Sequence, residues 1–225
     1  QVEAIVDALM PSMQPGSVVV DCSTSDPTST MALAKKLEAS GFFMADAPLG
    51  GTPVQAQSGE LATMVGADAA IYERLKPVIS AWAKTTVHIG PCGAGHKMKL
   101  LNNFLSLGYA ALYSEALALS EKVGISTKLF DSVIRGSRMD CGFYQNYMGY
   151  AVEGNREAHK FTLSNALKDL CYLEAMADDV NLSNPIGNAA KNSFAMALAA
   201  GGDGPEDYVP HLVDFVAKRN GVTRA

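Results

Sequence analysis

The sequence predicts an α/β sheet followed by an all-helical part, and three observations carry that prediction. Helical and strand-like patterns alternate from Val2 to Pro48. The strand-like runs are continuously apolar and end in polar loops, as strands of a parallel sheet covered on both faces do. After Gly90 the strand patterns stop, and the remainder of the chain is helical with loops between.

Each element has its own signal. Val2, Ile5, Val6, Leu9 and Met10 recur at helical spacing and end before Pro11. The run Ser17–Asp21 is apolar until its closing acid and reads as a buried parallel strand. Thr28–Ala39 is a helix with Met31, Leu33, Ala34 and Leu37 inward, closed by Ser40-Gly41. Phe42–Pro48 is the next strand, and Leu49–Pro53 is a loop at its end. Leu61–Gly66 is a further strand. Asp68–Trp82 is a helix with Tyr72, Leu75, Val78 and Ile79 on one face, and it tolerates Pro77. Thr85–Ile89, short and alternating in polarity, reads as a sheet edge. Gly95 to Val123 forms one helical pattern, about 40 Å long at the standard rise. It is rich in Ala and Leu and poor in charge, so it is expected to be buried on several sides, against other helices or a partner subunit. Ser126 caps a helix over Lys128–Ile134. An aromatic segment comes next (Phe143, Tyr144, Tyr147, Tyr150), then helices over Leu163–Ala177, Pro185–Ala200 and Tyr208–Lys218. The α/β part is expected to cover residues 1–92 and the helical part 93–225.

Composition narrows the function. A formal net charge of −5 over 225 residues leaves no basic footprint for nucleic acid. No apolar run reaches the ~20 residues of a membrane helix. Cys22, Cys92, Cys141 and Cys171 lie far apart without a CxxC pair and read as reduced thiols of a cytoplasmic protein. The four histidines form no HxxxH or HExxH pattern, so no dedicated metal site is expected. The helical pattern that begins directly at Gln1 reads as the middle of a domain.

Four stretches carry candidate chemistry. In Gly93-Ala94-Gly95-His96-Lys97-Met98-Lys99-Leu100-Leu101-Asn102-Asn103, Lys99 and Asn103 are four apart and share a helix face. Asparagines inside an apolar helix need partners, since an unpaired buried amide costs about 1–3 kcal/mol. A lysine desolvated by Leu100, Leu101 and Phe104 is expected to hold its proton less tightly, which suits general acid/base work. The bland alternative is a solvated face. Lys97, two positions from Lys99, points elsewhere. Asp21–Pro27 is a capped helix start whose extra hydroxyls also suit a cofactor phosphate or ribose. Asp46–Pro53 is a tight turn whose glycines let a ligand's carboxylate approach the backbone. Lys168-Asp169 alone reads as a surface pair. The run Gly90–Lys97 imitates a phosphate loop, but its lysine comes one residue late and Met98 replaces the metal-holding hydroxyl, so nucleotide hydrolysis is rejected.

In order, DCSTSDP, DAPLGGTPVQAQSGEL, GAGHKMKLLNN and LKDL resemble the β-hydroxyacid dehydrogenases, the group of 3-hydroxyisobutyrate dehydrogenase, tartronate semialdehyde reductase and sulfolactaldehyde reductase, with 6-phosphogluconate dehydrogenase more distant. The resemblance implies the C-terminal part of a Rossmann-like doubly wound sheet, then an all-α domain built around one long helix for substrate and dimer contacts. The family's N-terminal GxGxxG portion is not in this sequence. By resemblance, Lys99 is the catalytic lysine and Asn103 its substrate-binding companion. Ser23 and Thr24 contact the nicotinamide end of NAD or NADP, and Lys168 reaches the cofactor from the helical part, oriented by Asp169. Gly50 stands where a substrate-binding serine is common, Gly51 matches a glycine, and Thr52 is expected to supply the lost hydroxyl. The implied reaction is hydride transfer on a small 3-hydroxyacid or its semialdehyde, in a homodimer or homotetramer. A Schiff-base lysine enzyme and a non-catalytic ligand-binding or dimerisation module are the alternatives.

Overall fold

A computed structural model describes residues 1–223. It divides into two compact units, Gln1–Asn102 with Asp178–Val180, and Asn103–Ala177 with the chain from Asn181 on.

The first unit is the α/β part. Its elements are α1 (Val2–Leu9), β1 (Val18–Asp21), α2 (Pro27–Glu38), β2 (Phe43–Asp46), β3 (Leu49–Gly50), α3 (Pro53–Gln57), β4 (Leu61–Gly66), α4 (Ala69–Ile79), β5 (Ala83–Gly90) and the start of α5 (Ala94–Lys122). The pairs β1/β2 and β4/β5 are parallel, whereas β2 and then β3 pair antiparallel with β4. The sheet is therefore mixed at its centre. Both faces are covered, and the alternation of side chains along the strands sorts the core into two clusters. Met44 packs with Val6, Leu33 and Leu37, while Ala45 and Val65 pack with Ile71, Leu75 and Ile79. Val19 joins the first cluster; Val18 and Val20 join the second. Parallel β1 and β2 end side by side at Asp21 and Asp46, so the loops after them leave the same edge of the sheet. That edge is where ligands of open α/β sheets bind.

Two residues placed on the apolar helix faces are not buried. Met31 and Val78 are exposed at 39% and 63%. Each sits at the margin of its helix's apolar arc, where helical spacing alone does not separate face from flank. The stretch Leu49–Gln57 is not a plain loop: β3 adds two residues to β4, and Thr52 caps the one-turn α3.

The second unit holds the rest of α5 with α6 (Thr127–Ile134), α7 (Gly142–Ala151), α8 (Leu163–Asp179), α9 (Pro185–Ala199) and α10 (Leu212–Arg219). Tyr144, Tyr147 and Met148 of α7 are fully buried, so the aromatic segment is a core helix. Its contact with α5 is partly polar: the Ser114 and Tyr147 hydroxyls bond at 2.6 Å. Within this chain α5 is buried along one side only. Met98, Leu101, Leu105, Tyr109, Leu112, Leu119 and Val123 form one exposed apolar stripe along it, while Leu100, Leu107, Ala110 and Leu117 are buried. Among the described residues no helix is long and apolar enough to cross a membrane.

Candidate active site

The start of α5 is built by an internal carboxylate. Asp46, fully buried at the end of β2, accepts the backbone N–H groups of Gly93 and His96, both at 2.6 Å. A helix N-terminus leaves such donors unpaired and favours negative charge beside them. The glycines around it are a packing requirement. A Cβ on Gly95 would overlap the Met64 carbonyl and stand 2.8 Å from the Asp46 carboxylate, and one on Gly66 would overlap that carboxylate. Gly93 has φ +91°, a backbone conformation that side chains disfavour. The resemblance of Gly90–Lys97 to a phosphate loop thus has a physical basis: the anion held there is Asp46.

The loop after β1 is also tied from below. Asp21 accepts Ser23 N–H at 2.9 Å, Ser23 Oγ at 2.7 Å and Ser25 Oγ at 3.0 Å. The Ser23 and Ser25 hydroxyls contact each other at 2.8 Å. The His96 ring lies beneath, with Nε2 donating to the Ser23 carbonyl at 3.1 Å and Nδ1 2.8 Å from Thr30 Oγ1. Of the hydroxyls expected to meet a cofactor, Ser23's is engaged in holding its own loop. Ser23 is exposed and Thr24 half-buried.

Gly51 has φ +126°, and a Cβ there would press Leu61 at 3.0 Å. Gly50 is different: a Cβ there would meet Ala62 at 3.7 Å, an ordinary contact. Thr52 departs from expectation. Its N–H donates to Gln55 Oε1 at 2.9 Å, and its hydroxyl donates to the same oxygen. Capping α3 occupies both groups, so Thr52 does not stand ready as a replacement hydroxyl.

Lys99 is half-buried on α5, whereas Lys97 and Asn102 are exposed. Only the second asparagine of the pair is therefore the buried amide inferred from sequence. Asn103, 6% exposed, donates Nδ2 to Asp169 Oδ2 at 2.6 Å. The other oxygen of Asp169 pairs with Lys168 Nζ at 3.1 Å, and that ammonium also lies 5.3 Å from the centre of the Tyr172 ring. Asp169 is 2% exposed, so the pair that reads as surface is anchored by a buried acid. Asp169 thereby orients Asn103 as well as Lys168, a link that a separation of 66 residues hides. Asp21, Asp46 and His96 are likewise beyond sequence reasoning as a group; each ends or begins an element, but nothing local joins them.

A half-buried ammonium one helical turn from an anchored carboxamide can hold and protonate a carbonyl oxygen. The loop at the end of β1 lies at the edge of parallel strands, where ligands of open α/β sheets bind, and Ser23 is exposed there. Two family models cover most of the chain. Residues 1–90 match the NAD binding domain of 6-phosphogluconate dehydrogenase, and residues 93–210 match the NAD-binding domain of NADP-dependent 3-hydroxyisobutyrate dehydrogenase. An uncharacterised oxidoreductase of Mycobacterium tuberculosis (strain H37Rv) is 32% identical over 208 residues, which are 88% of this chain and 70% of that protein. The 3-sulfolactaldehyde reductase of Escherichia coli K12 is 30% identical over 185 residues, 82% of this chain, and the chain spans only 62% of that enzyme's length. Among solved structures, Mycobacterium tuberculosis 3-hydroxyisobutyrate dehydrogenase with L-serine superposes with a TM-score of 0.83 at 25% identity, covering 93% of this chain and 74% of that one.

Proposed function

The chain belongs to the β-hydroxyacid dehydrogenase family, and from that premise we propose that it moves hydride between NAD or NADP and a small 3-hydroxyacid or its semialdehyde, with Lys99 as general acid/base. The observation that carries the proposal is the α5 face: Lys99 half-buried, and one turn on, Asn103 buried and fixed by Asp169. When bound, the nicotinamide supplies the hydride chemistry. Everything else falls to the protein. Lys99 gives a proton to the carbonyl oxygen during reduction and takes it back during oxidation, and its charge stabilises the developing alkoxide. Asn103 fixes the reacting substrate. The backbone of Gly50-Gly51 receives its acid group, with Thr52 committed to capping α3. Ser23 and Thr24 present the loop that meets the nicotinamide end, and Lys168 supplies a cation for the cofactor.

Lys99→Ala is expected to lower kcat by roughly 10²–10⁴-fold, the range of a lost general acid/base, with an unchanged circular dichroism spectrum. Near-normal turnover overturns the assignment. Gly50→Ser tests the acid-binding turn: the site accepts a Cβ, so the variant is expected to fold as the wild type does and to change KM for the acid substrate. Unaltered KM values across short hydroxyacids would remove Gly50 from the substrate site. We also read the exposed stripe of α5 as the face that meets a second copy, giving a homodimer or homotetramer, and the four unpaired cysteines as those of a cytoplasmic enzyme.

A further inference from the structure

We propose that His96 is a buried imidazolium and a positioning residue, one that locks the start of α5 to the loop after β1 and thereby sets both Lys99 and the Ser23–Thr24 loop. Its ring is fully buried. Nε2 faces the Ser23 carbonyl oxygen at 3.1 Å. A carbonyl only accepts, so Nε2 carries a proton. Nδ1 faces Thr30 Oγ1 at 2.8 Å, and that hydroxyl faces the Asp26 carbonyl at 3.0 Å. That carbonyl also accepts the Thr30 N–H at 3.1 Å; we assign it the hydroxyl proton as well, which leaves a lone pair of Oγ1 toward Nδ1. Nδ1 then carries a proton as well. Two N–H groups make the ring a cation.

The surrounding charges agree. From β1, Asp21 Oδ2 lies 3.8 Å from Nε2; from the end of β2, Asp46 Oδ2 lies 3.9 Å from Nδ1. The side chains of Asp21 and Asp46 are 5% and 0% exposed. From α2 the ring meets Thr30, and the cap residue Asp26 turns its carboxylate to the Thr28 N–H at 2.9 Å. In the turn before α5, burial and the Asp46 charge push the Cys92 thiol up to about 12, so it stays uncharged at neutral pH. On α5 itself, Lys97 is exposed and Lys99 half-buried. A buried cation between two buried carboxylates is the arrangement that offsets their desolvation.

The same contacts give the positioning role. Asp46 holds the first turn of α5 by its backbone, His96 holds the Ser23 carbonyl by its ring, and Asp21 holds Ser23 and Ser25 from the other side. Loss of the ring frees the loop from α5, and Lys99 stands three residues further along that helix. The catalytic consequence rests on the proposed hydride transfer; the charge state does not.

The test has two arms. In ¹⁵N NMR of the histidine-labelled protein, both His96 ring nitrogens are expected to be protonated and to hold constant shifts from pH 6 to 9. A singly protonated ring in that range overturns the cation. His96→Gln keeps an amide donor for the Ser23 carbonyl but removes the charge. It is expected to fold and to raise the cofactor KM at least about tenfold (about 1.4 kcal/mol), with a smaller loss in kcat at saturation. A variant with the wild-type cofactor KM, even if its melting temperature falls, overturns positioning. Wild-type protein that turns over no hydroxyacid with NAD or NADP overturns the hydride-transfer reading instead, while the NMR arm still decides the charge.

Discussion

At the residue scale, the start of α5 shows how one side chain's absence can decide a fold. Gly95 has no room for a methyl group, since the Met64 carbonyl and the Asp46 carboxylate already fill the space. Gly95→Ala is therefore expected to cost about 1–3 kcal/mol, the range of overpacking a close-packed site, in chemical denaturation. A change within experimental error would show that α5 can lift from β4 without penalty. The late lysine and the missing magnesium ligand are visible in the sequence, and they are the grounds for rejecting nucleotide hydrolysis. The occupant of the glycine-lined start is not visible there, because Asp46 lies 47 residues before Gly93. Asn103 behaves the same way: its need for a partner follows from asparagine chemistry, but Asp169 as that partner follows only from how α5 and α8 pack. Thr52 shows the reverse. Its hydroxyl looks available because α3 is a single turn, too short for a periodic signal, and capping that turn takes up the hydroxyl.

At the element scale, local chemistry sets most boundaries. Ser126 accepts the Leu129 N–H at 3.2 Å as the N-cap of α6, and the cap is legible because cap and donor lie three residues apart. Ser126→Ala is expected to cost about 1 kcal/mol, read as a lower denaturation midpoint with an unchanged m-value; no shift would mean that water replaces the cap without loss. α5 is equally legible in its length, since few charges or breakers interrupt it. Its burial is not. The residues at 98, 101, 105, 109, 112, 119 and 123 recur in the same three-and-four rhythm as the buried set, and rhythm alone does not say which apolar face finds a neighbour.

At the scale of the whole molecule, stability responds to groups whose charge the fold has chosen. His211 is buried, donates Nε2 to the Arg156 carbonyl at 3.0 Å and accepts the Tyr208 N–H at Nδ1 at 3.3 Å. That pattern needs the neutral ring, and burial holds its pKa below the ordinary 6.5. As pH falls through about 6.5 the unfolded chain takes up a proton that the folded chain refuses, so the folded state loses stability, and the loss is complete once pH is below the folded value. The melting temperature of His211→Gln is accordingly expected to fall less than that of the wild type between pH 7.5 and 5.5; an equal or steeper fall would assign the acid sensitivity elsewhere. By itself the sequence determined the class of fold, the long helix and the family, because these rest on apolar periodicity, on caps and turns a few residues long, and on four motifs in order. The tertiary structure alone decided that β4 runs antiparallel to β2, that Asp46 anchors α5, that Asp169 holds Asn103, and that His96 sits between two carboxylates while His211 faces a carbonyl and an amide. These are contacts between residues distant in the chain, and a side chain's charge and partners are set by what folding brings around it.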